Sequence, residues 1–109
     1  MTKTPLAPAV LDLVADRFRV LGEPARLALL QALRDGPRTV GELAEATGLS
    51  PANVSKHLQI LHAARFVRRR KEGLHVHYAI AGADVFRLCD IICDRLAAEA
   101  RRQQEALAP

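Results

Sequence analysis

Residues 39–61 read TVGELAEATGLSPANVSKHLQIL, and this stretch decides the fold. Thr39 and Glu42 have the spacing of a capping box, in which the Thr hydroxyl and the Glu carboxylate each bind a free backbone N–H at a helix start. Gly48 is expected to end this helix, and Ser50, followed by proline, is expected to cap the next one. Two helices joined by a tight turn that contains glycine predict a helix-turn-helix.

The second helix of this motif has one apolar stripe, made by Val54, Leu58 and Leu61. The polar side chains around it are therefore free to face outward or sideways. Serine, asparagine and glutamine can bond to base edges in a major groove, and lysine can reach guanine or phosphate. An ordinary solvated helix face would show the same pattern. The candidate contacts on this helix are Asn53, Ser55, Lys56 and Gln59.

Directly after this helix, residues 66–80 read FVRRRKEGLHVHYAI, two strand-like runs around Glu72-Gly73 that predict a β-hairpin. A basic hairpin after such a helix is typical of a winged helix-turn-helix, in which the helix reads the major groove and the hairpin, or wing, binds phosphate. A charged edge strand that resists aggregation would look similar. The candidate wing contacts are Arg68, Arg69, Arg70 and Lys71.

Amphipathic helices flank this core: apolar spacing predicts one over residues 10–21, another over residues 24–33, and a last one from Asp84 onward. We expect the first and last helices to form a homodimer interface, because so small a domain has little other surface to cover two apolar faces. The 109 residues allow one domain. The predicted fold is mostly α with a β-hairpin wing, and we expect residues 1–8 and 103–109 to be flexible.

The net charge of +4 suits a polyanionic partner. No signal peptide and no apolar run of membrane-spanning length is evident, which predicts a soluble cytoplasmic protein without a membrane partner. No nucleophile lies beside a base in a known motif and no glycine-rich phosphate loop occurs, so an enzyme is not expected.

With these elements in order, the chain resembles the ArsR/SmtB family of bacterial metal- and thiol-responsive repressors. Three segments and the wing carry the resemblance, namely LGEPARL at 21–27, VGELA at 40–44, LSPANVSKHL at 49–58 and residues 67–78. The resemblance implies a dimeric repressor that binds double-stranded operator DNA, an inverted repeat, and leaves it when an inducer binds. By matching position it also places Ser50 and His57 at or near the DNA.

The inducer is not assigned by the resemblance. The third helix lacks the cysteine pair of the arsenic-type members, and the last helix lacks the Asp-x-His of the zinc-type members. Cys89 and Cys93 lie four residues apart, so they share a helix face and their thiolates can converge on one soft metal or metalloid ion, the predicted inducer. His75 and His77 share a strand face, but they are more simply read as wing surface residues.

Three functions remain in competition at this point. The first is a repressor released by a soft ion at Cys89 and Cys93, with a further ligand supplied by the partner subunit. The second keeps the repressor but makes the thiols a redox or persulfide sensor. The third is a winged-helix module that binds protein without specific DNA binding, in which the cysteines simply pack as small apolar residues.

Overall fold

The computed structural model, which describes residues 5–109, contains five helices and a small three-stranded sheet in this range. The elements are α1 (Pro8–Leu21), α2 (Pro24–Ala32), β1 (Arg38–Thr39), α3 (Val40–Thr47), α4 (Pro51–Ala63), β2 (Val67–Glu72), β3 (His75–Ile80) and α5 (Asp84–Leu107). The predicted class, mostly α with a β-hairpin wing, is confirmed. Of residues 1–8, which were expected to be flexible, 1–4 lie outside the described residues, 5–7 have no regular structure and Pro8 begins α1.

The helix-turn-helix forms through the caps that the sequence predicts. The Glu42 N–H donates to the Thr39 hydroxyl at 3.2 Å, and the Thr39 N–H donates to the Glu42 carboxylate at 2.9 Å. Hydrogen bonds from the Thr39 backbone N–H, and then from the Thr39 hydroxyl, to the ionised carboxylate lower the pKa of Glu42. Gly48 ends α3 with φ of 76°, a left-handed conformation that favours glycine. The Ser50 hydroxyl then caps α4 by accepting from the Asn53 N–H.

A single apolar core holds α2, α3 and α4 together. Val54, Leu58 and Leu61 of α4 are fully buried, and they share the core with Leu29 of α2 and Leu43 of α3. Because these three α4 side chains lie on one stripe, the opposite face of α4 is turned to solvent.

The sheet is antiparallel in the order β1-β3-β2. Sequence reasoning missed β1, because a two-residue strand has no periodicity to detect. The β2–β3 loop is Gly73-Leu74, one residue later than predicted, and Gly73 has φ of 58°, as the first loop residue of a type II′ hairpin requires. Val67 and Tyr78 are buried, so one face of the hairpin packs on the core.

Helix α5 leaves the core after its first turn. Val85 and Phe86 are buried, and the Arg34 guanidinium stacks on the Phe86 ring with its carbon 4.6 Å from the ring centroid. At 24 residues, α5 is about 36 Å long. Residues 103–107, expected to be flexible, continue this helix, and 108–109 follow it without regular structure. No helix in the described part of the chain is long and apolar enough to span a membrane.

Since Leu58 is fully buried at the centre of the core, Leu58→Ala is expected to lower the free energy of unfolding by about 2–5 kcal/mol. Gln59→Ala, one position along on the exposed side of α4, is the matched control and should change it by less than about 0.5 kcal/mol. Urea titrations at one fixed protein concentration measure both values. Equal losses in the two variants would contradict the assignment of the buried stripe.

Candidate nucleic-acid interface

The outer face of α4, called here the recognition face, carries most of the polar residues singled out in the sequence. Lys56 and Gln59 are exposed on it, as are Ser50 and Asn53 at the start of the helix. Ser55 and His57 are half-buried on its two flanks. The outer face therefore presents an amine, amides and a hydroxyl together, with no acidic side chain in α4.

His57 differs from the other predicted contacts because part of its ring is occupied within the protein. Its Nδ1 lies 3.2 Å from Nη1 of Arg26, a residue in the first turn of α2. A histidine at this position can either contact a phosphate or fill the junction behind α4. The half-buried ring fills the junction, where its Nδ1 contacts Arg26. Its other nitrogen has no hydrogen-bonding partner among residues 5–109.

The four predicted wing contacts divide between the two faces of β2, because successive side chains of a strand point to opposite sides. Arg69 and Lys71 lie on the side of buried Val67 and extend beyond the edge of the core. Arg68 and Arg70 lie on the outer side. All four side chains are exposed.

The outer pair of arginines is engaged within the hairpin. Arg70 forms an ion pair with Glu72, and Arg68 Nη2 donates to the Ala81 carbonyl at 2.9 Å. Glu72 Oε2 also lies 3.8 Å from His77 Nδ1. By contrast, the side chains of Arg69 and Lys71 form no ion pair or hydrogen bond with any other residue in the 5–109 range. Residue spacing in the sequence did not separate the outer pair of arginines from Arg69 and Lys71. It does not show which side chain forms an ion pair with Glu72.

Two further basic residues at the base of the wing were not among the predicted contacts. His62 and Arg65, at the end of α4, line an open cleft of about 500 Å³ together with Arg68 and Arg69. None of the residues lining this cleft is acidic. Arg65 has φ of 66°, a left-handed conformation that is uncommon outside glycine and that turns the chain from α4 into β2. The basic surface of the wing therefore extends back to the end of α4.

The two cysteines lie on α5, away from this basic surface in sequence. Cys89 is half-buried and Cys93 is exposed, one turn further along the helix. Around them α5 exposes Leu88, Ile92 and Leu96, and these side chains are between 41% and 59% exposed. No group of three His, Cys, Asp or Glu side chains able to hold a metal occurs within residues 5–109, so the cysteines and the His75/His77 pair each lack a third ligand inside the protomer.

Helix α1, like α5, has an exposed apolar surface. Helix α1 has no buried residue, and it exposes Val10, Leu11, Val14 and Phe18 to between 37% and 55%. Monomeric soluble proteins rarely leave such contiguous apolar surface uncovered. The first and last helices, which the sequence suggested for a dimer interface, thus both expose apolar side chains.

Comparison with known proteins agrees with this architecture. The family model for bacterial regulatory proteins of the arsR family matches residues 23–69. The HTH-type transcriptional regulator Rv0324 of Mycobacterium tuberculosis is 39% identical over 84 residues, which cover 77% of this chain and 37% of that protein. The chain therefore spans little more than a third of the length of this relative.

Solved structures of similar proteins cover nearly the whole chain. The homodimeric winged helix-turn-helix DNA-binding domain Mb0332 from Mycobacterium bovis is 34% identical with a TM-score of 0.72, over 91% of this chain and 90% of that one. The antimony-specific transcriptional repressor AntR is also 34% identical, with a TM-score of 0.76 over 92% of each chain. These relatives are transcriptional regulators, not enzymes, as the sequence predicted. The chain belongs to the ArsR family of bacterial regulatory proteins, and its fold is the winged helix-turn-helix of transcriptional regulators.

Proposed function

We propose that this protein is a homodimeric transcriptional repressor that binds an inverted-repeat operator through α4 and the wing and is released by an inducer at Cys89 and Cys93. The observation that carries the DNA-binding half is the juxtaposition of the exposed recognition face of α4 with the unpaired cations Arg69 and Lys71 on the following hairpin. The polar groups can form hydrogen bonds to base edges, and the cations can bind phosphates. Because they lie next to each other, both can contact the same duplex.

A dimer supplies the second half-site. The exposed apolar residues of α1 and α5 favour pairing of these helices between two protomers, and the related Mb0332 domain is homodimeric. A two-fold dimer presents two recognition faces, which must be about 34 Å apart to enter successive major grooves. An inverted repeat follows because a two-fold symmetric protein reads the same half-site twice.

The inducer half of the proposal rests on the two thiols and their surroundings. Cys89 and Cys93 share one face of α5, and thiolates one turn apart can bind the same soft ion. Two sulfurs leave the coordination incomplete, so the remaining ligand would come from the partner subunit across paired α5 helices. The antimony-specific repressor among the relatives supports a soft metalloid as the class of inducer.

Release requires that the ion favour a different arrangement of the dimer from the one that DNA favours. An ion bound between two α5 helices would alter their pairing, and α5 joins the core through Val85 and Phe86 in its first turn. A shift there would change the separation of the two recognition faces. A coupling of roughly 1–3 kcal/mol would lower operator affinity about 5- to 150-fold.

The first test is a titration of the dimer against DNA from upstream of its own coding sequence, followed by fluorescence anisotropy. A specific repressor is expected to bind at physiological salt with a dissociation constant of about 10⁻⁸ to 10⁻¹¹ M, at least about a thousandfold tighter than to random DNA. A module that binds protein instead would show only weak, salt-sensitive retention on both DNAs, and that result would contradict the proposal.

Arg69 and Arg70 of the wing differ in whether they are paired, and this difference gives a second prediction. Arg69→Gln removes a cation that is free to bind phosphate, so it should flatten the slope of log affinity against log salt by about 0.9. Arg70→Gln is the matched control in charge and residue type, and it should flatten the slope less, because Arg70 is already paired with Glu72. If both variants flatten the slope equally, Arg70 leaves Glu72 on binding and the division of the wing is wrong.

The cysteines are tested by release from the operator. Trivalent antimony, cadmium and polysulfide are added in separate titrations to the DNA-bound protein, and the same titrations are made on Cys89→Ser and Cys93→Ser. Both variants should bind DNA as the wild type does but lose the response, because either substitution removes half of the sulfur ligands. Full release of both variants by all three probes would show that the inducer acts elsewhere.

Mass spectrometry of the same samples separates the two kinds of inducer. A metal or metalloid adds its own mass to the dimer, whereas a persulfide or a disulfide between subunits changes the mass by sulfur atoms or by hydrogen. An antimony or cadmium adduct on the released wild type, absent from both serine variants, is the expected result. A sulfur adduct alone would replace the ion with thiol sensing while leaving the repressor assignment intact.

A further inference from the structure

The side chain of Arg26 joins three elements that the helix-turn-helix motif alone does not connect. Its Nε donates to the Val20 carbonyl at 2.6 Å, and its Nη2 donates to the Arg19 carbonyl at 3.4 Å. Its Nη1 lies 3.2 Å from His57 Nδ1. Arg26 is itself in the first turn of α2, so one guanidinium connects the end of α1 and the flank of α4 through α2.

The contact with His57 fixes a protonation pattern. A guanidinium is always charged and can only donate hydrogen bonds, so the imidazole nitrogen that faces it must accept. A neutral histidine that accepts at Nδ1 carries its proton on Nε2. Arg26 therefore selects the Nε2–H form of His57.

The selected proton is on the side of the ring away from Arg26. His57 is half-buried, and Arg26 is the one hydrogen-bonding partner of its ring among residues 5–109. Its Nε2 is not among the buried, unpartnered polar atoms found there, so this nitrogen is open to solvent. His57 follows Asn53 by one helical turn, and the two residues flank the recognition face on the same side.

The other end of the bridge lies at the helix expected to form the dimer. The last carbonyls of a helix lack partners within the helix and carry a partial negative charge, so a cation there is favourable. Arg26 occupies this position at α1, whose apolar side chains are exposed for a partner subunit. The same guanidinium therefore contacts both the end of α1 and the ring of His57.

We propose that Arg26 is a positioning residue for DNA recognition: it holds His57 as an outward Nε2–H donor to a backbone phosphate of the operator and ties the flank of α4 to the end of α1. This inference rests on the proposed function, because its ligand is operator phosphate. It adds a hydrogen bond from a neutral donor beside the contacts made by the charged side chains of the wing. The bond depends on a residue 31 positions earlier in the chain.

The first measurement needs no DNA and no variant. Long-range ¹H–¹⁵N correlation spectra of the full-length free protein distinguish a protonated imidazole nitrogen from an unprotonated one. We expect His57 at neutral pH to show an unprotonated Nδ1 and a protonated Nε2. A proton on Nδ1 would overturn the proposal, because that nitrogen could not then accept from Arg26.

The second measurement is operator affinity in a double-mutant cycle. Arg26→Gln removes the bridge, and His57→Asn keeps an acceptor near the position of Nδ1 but removes the outward N–H. Each single variant should weaken operator binding about tenfold, the size expected for a hydrogen bond to a charged group. The double variant should be little weaker than His57→Asn alone, because Arg26 has no outward donor left to position.

Two controls separate this role from a structural one. Arg19→Gln removes the same charge at an exposed position of α1 but leaves its carbonyl in place, so it should keep the affinity within about twofold. If Arg26 merely held the fold, its loss would weaken binding by the same factor with and without His57, and this additive result would overturn the proposal. His57→Gln, which places a donor near Nε2, should bind more tightly than His57→Asn, and the reverse order would also overturn it.

Failure of the inference and failure of the proposed function are distinguishable. If the wild type does not bind the operator, the proposed function fails, whereas the His57 spectrum still reports whether Arg26 selects its protonation. If the wild type binds specifically but the cycle is additive, the repressor assignment stands and the positioning role is rejected. Should Arg26→Gln not fold, the comparison of His57→Asn with His57→Gln and the spectrum decide the matter.

Discussion

Burial of one stripe of α4 is the constraint on which the rest of the structure depends. Val54, Leu58 and Leu61 are fully buried between α2, α3 and the base of the hairpin, which leaves a single rotation of α4 about its axis. That rotation turns Lys56 and Gln59 outward. The apolar residues that contribute most to stability are thus the ones that decide which polar residues are presented to a ligand.

The fold also decides which positive charges of the wing are available to a ligand. The sequence carries a net charge of +4, and five cations fall within residues 65–71, yet the structure does not leave all of them equally available. Glu72 pairs with Arg70, and the Ala81 carbonyl accepts from Arg68, so the outer side of the wing is partly neutralised. The other side, which continues from the buried Val67, carries Arg69 and Lys71, and neither forms an ion pair within residues 5–109. Because successive side chains of β2 point to opposite sides, one side of the wing has more unpaired cations than the other.

Local signals explain why so much of this fold could be predicted from the sequence. The capping box of α3, the serine cap of α4 and the turns at Gly48 and Gly73 depend on residues within a few positions of one another, and all of them form, the hairpin loop one residue later than predicted. The apolar periodicity that predicts α4 is also local. The exposed residues of the recognition face follow directly, because burial of one stripe fixes the opposite one.

Contacts between distant residues explain what the sequence could not supply. The bridge from Arg26 to His57 spans 31 positions, and β1 exists only because Arg38 and Thr39 meet β3. Neither has a periodic pattern. The polar end of α5 suggested a flexible terminus from residue 103, and in the structure this segment continues as helix to Leu107. For the candidate site, the sequence therefore identified the groups that face outward but not the residues that hold them.

The central claim is that the outer faces of two α4 helices enter successive major grooves, and protection of the operator from dimethyl sulfate tests it most directly. This reagent methylates guanine N7 in the major groove and adenine N3 in the minor groove. The account predicts two patches of protected guanines with centres about 10–10.5 base pairs apart. Protection of adenines alone, or a single patch of guanines, would contradict it.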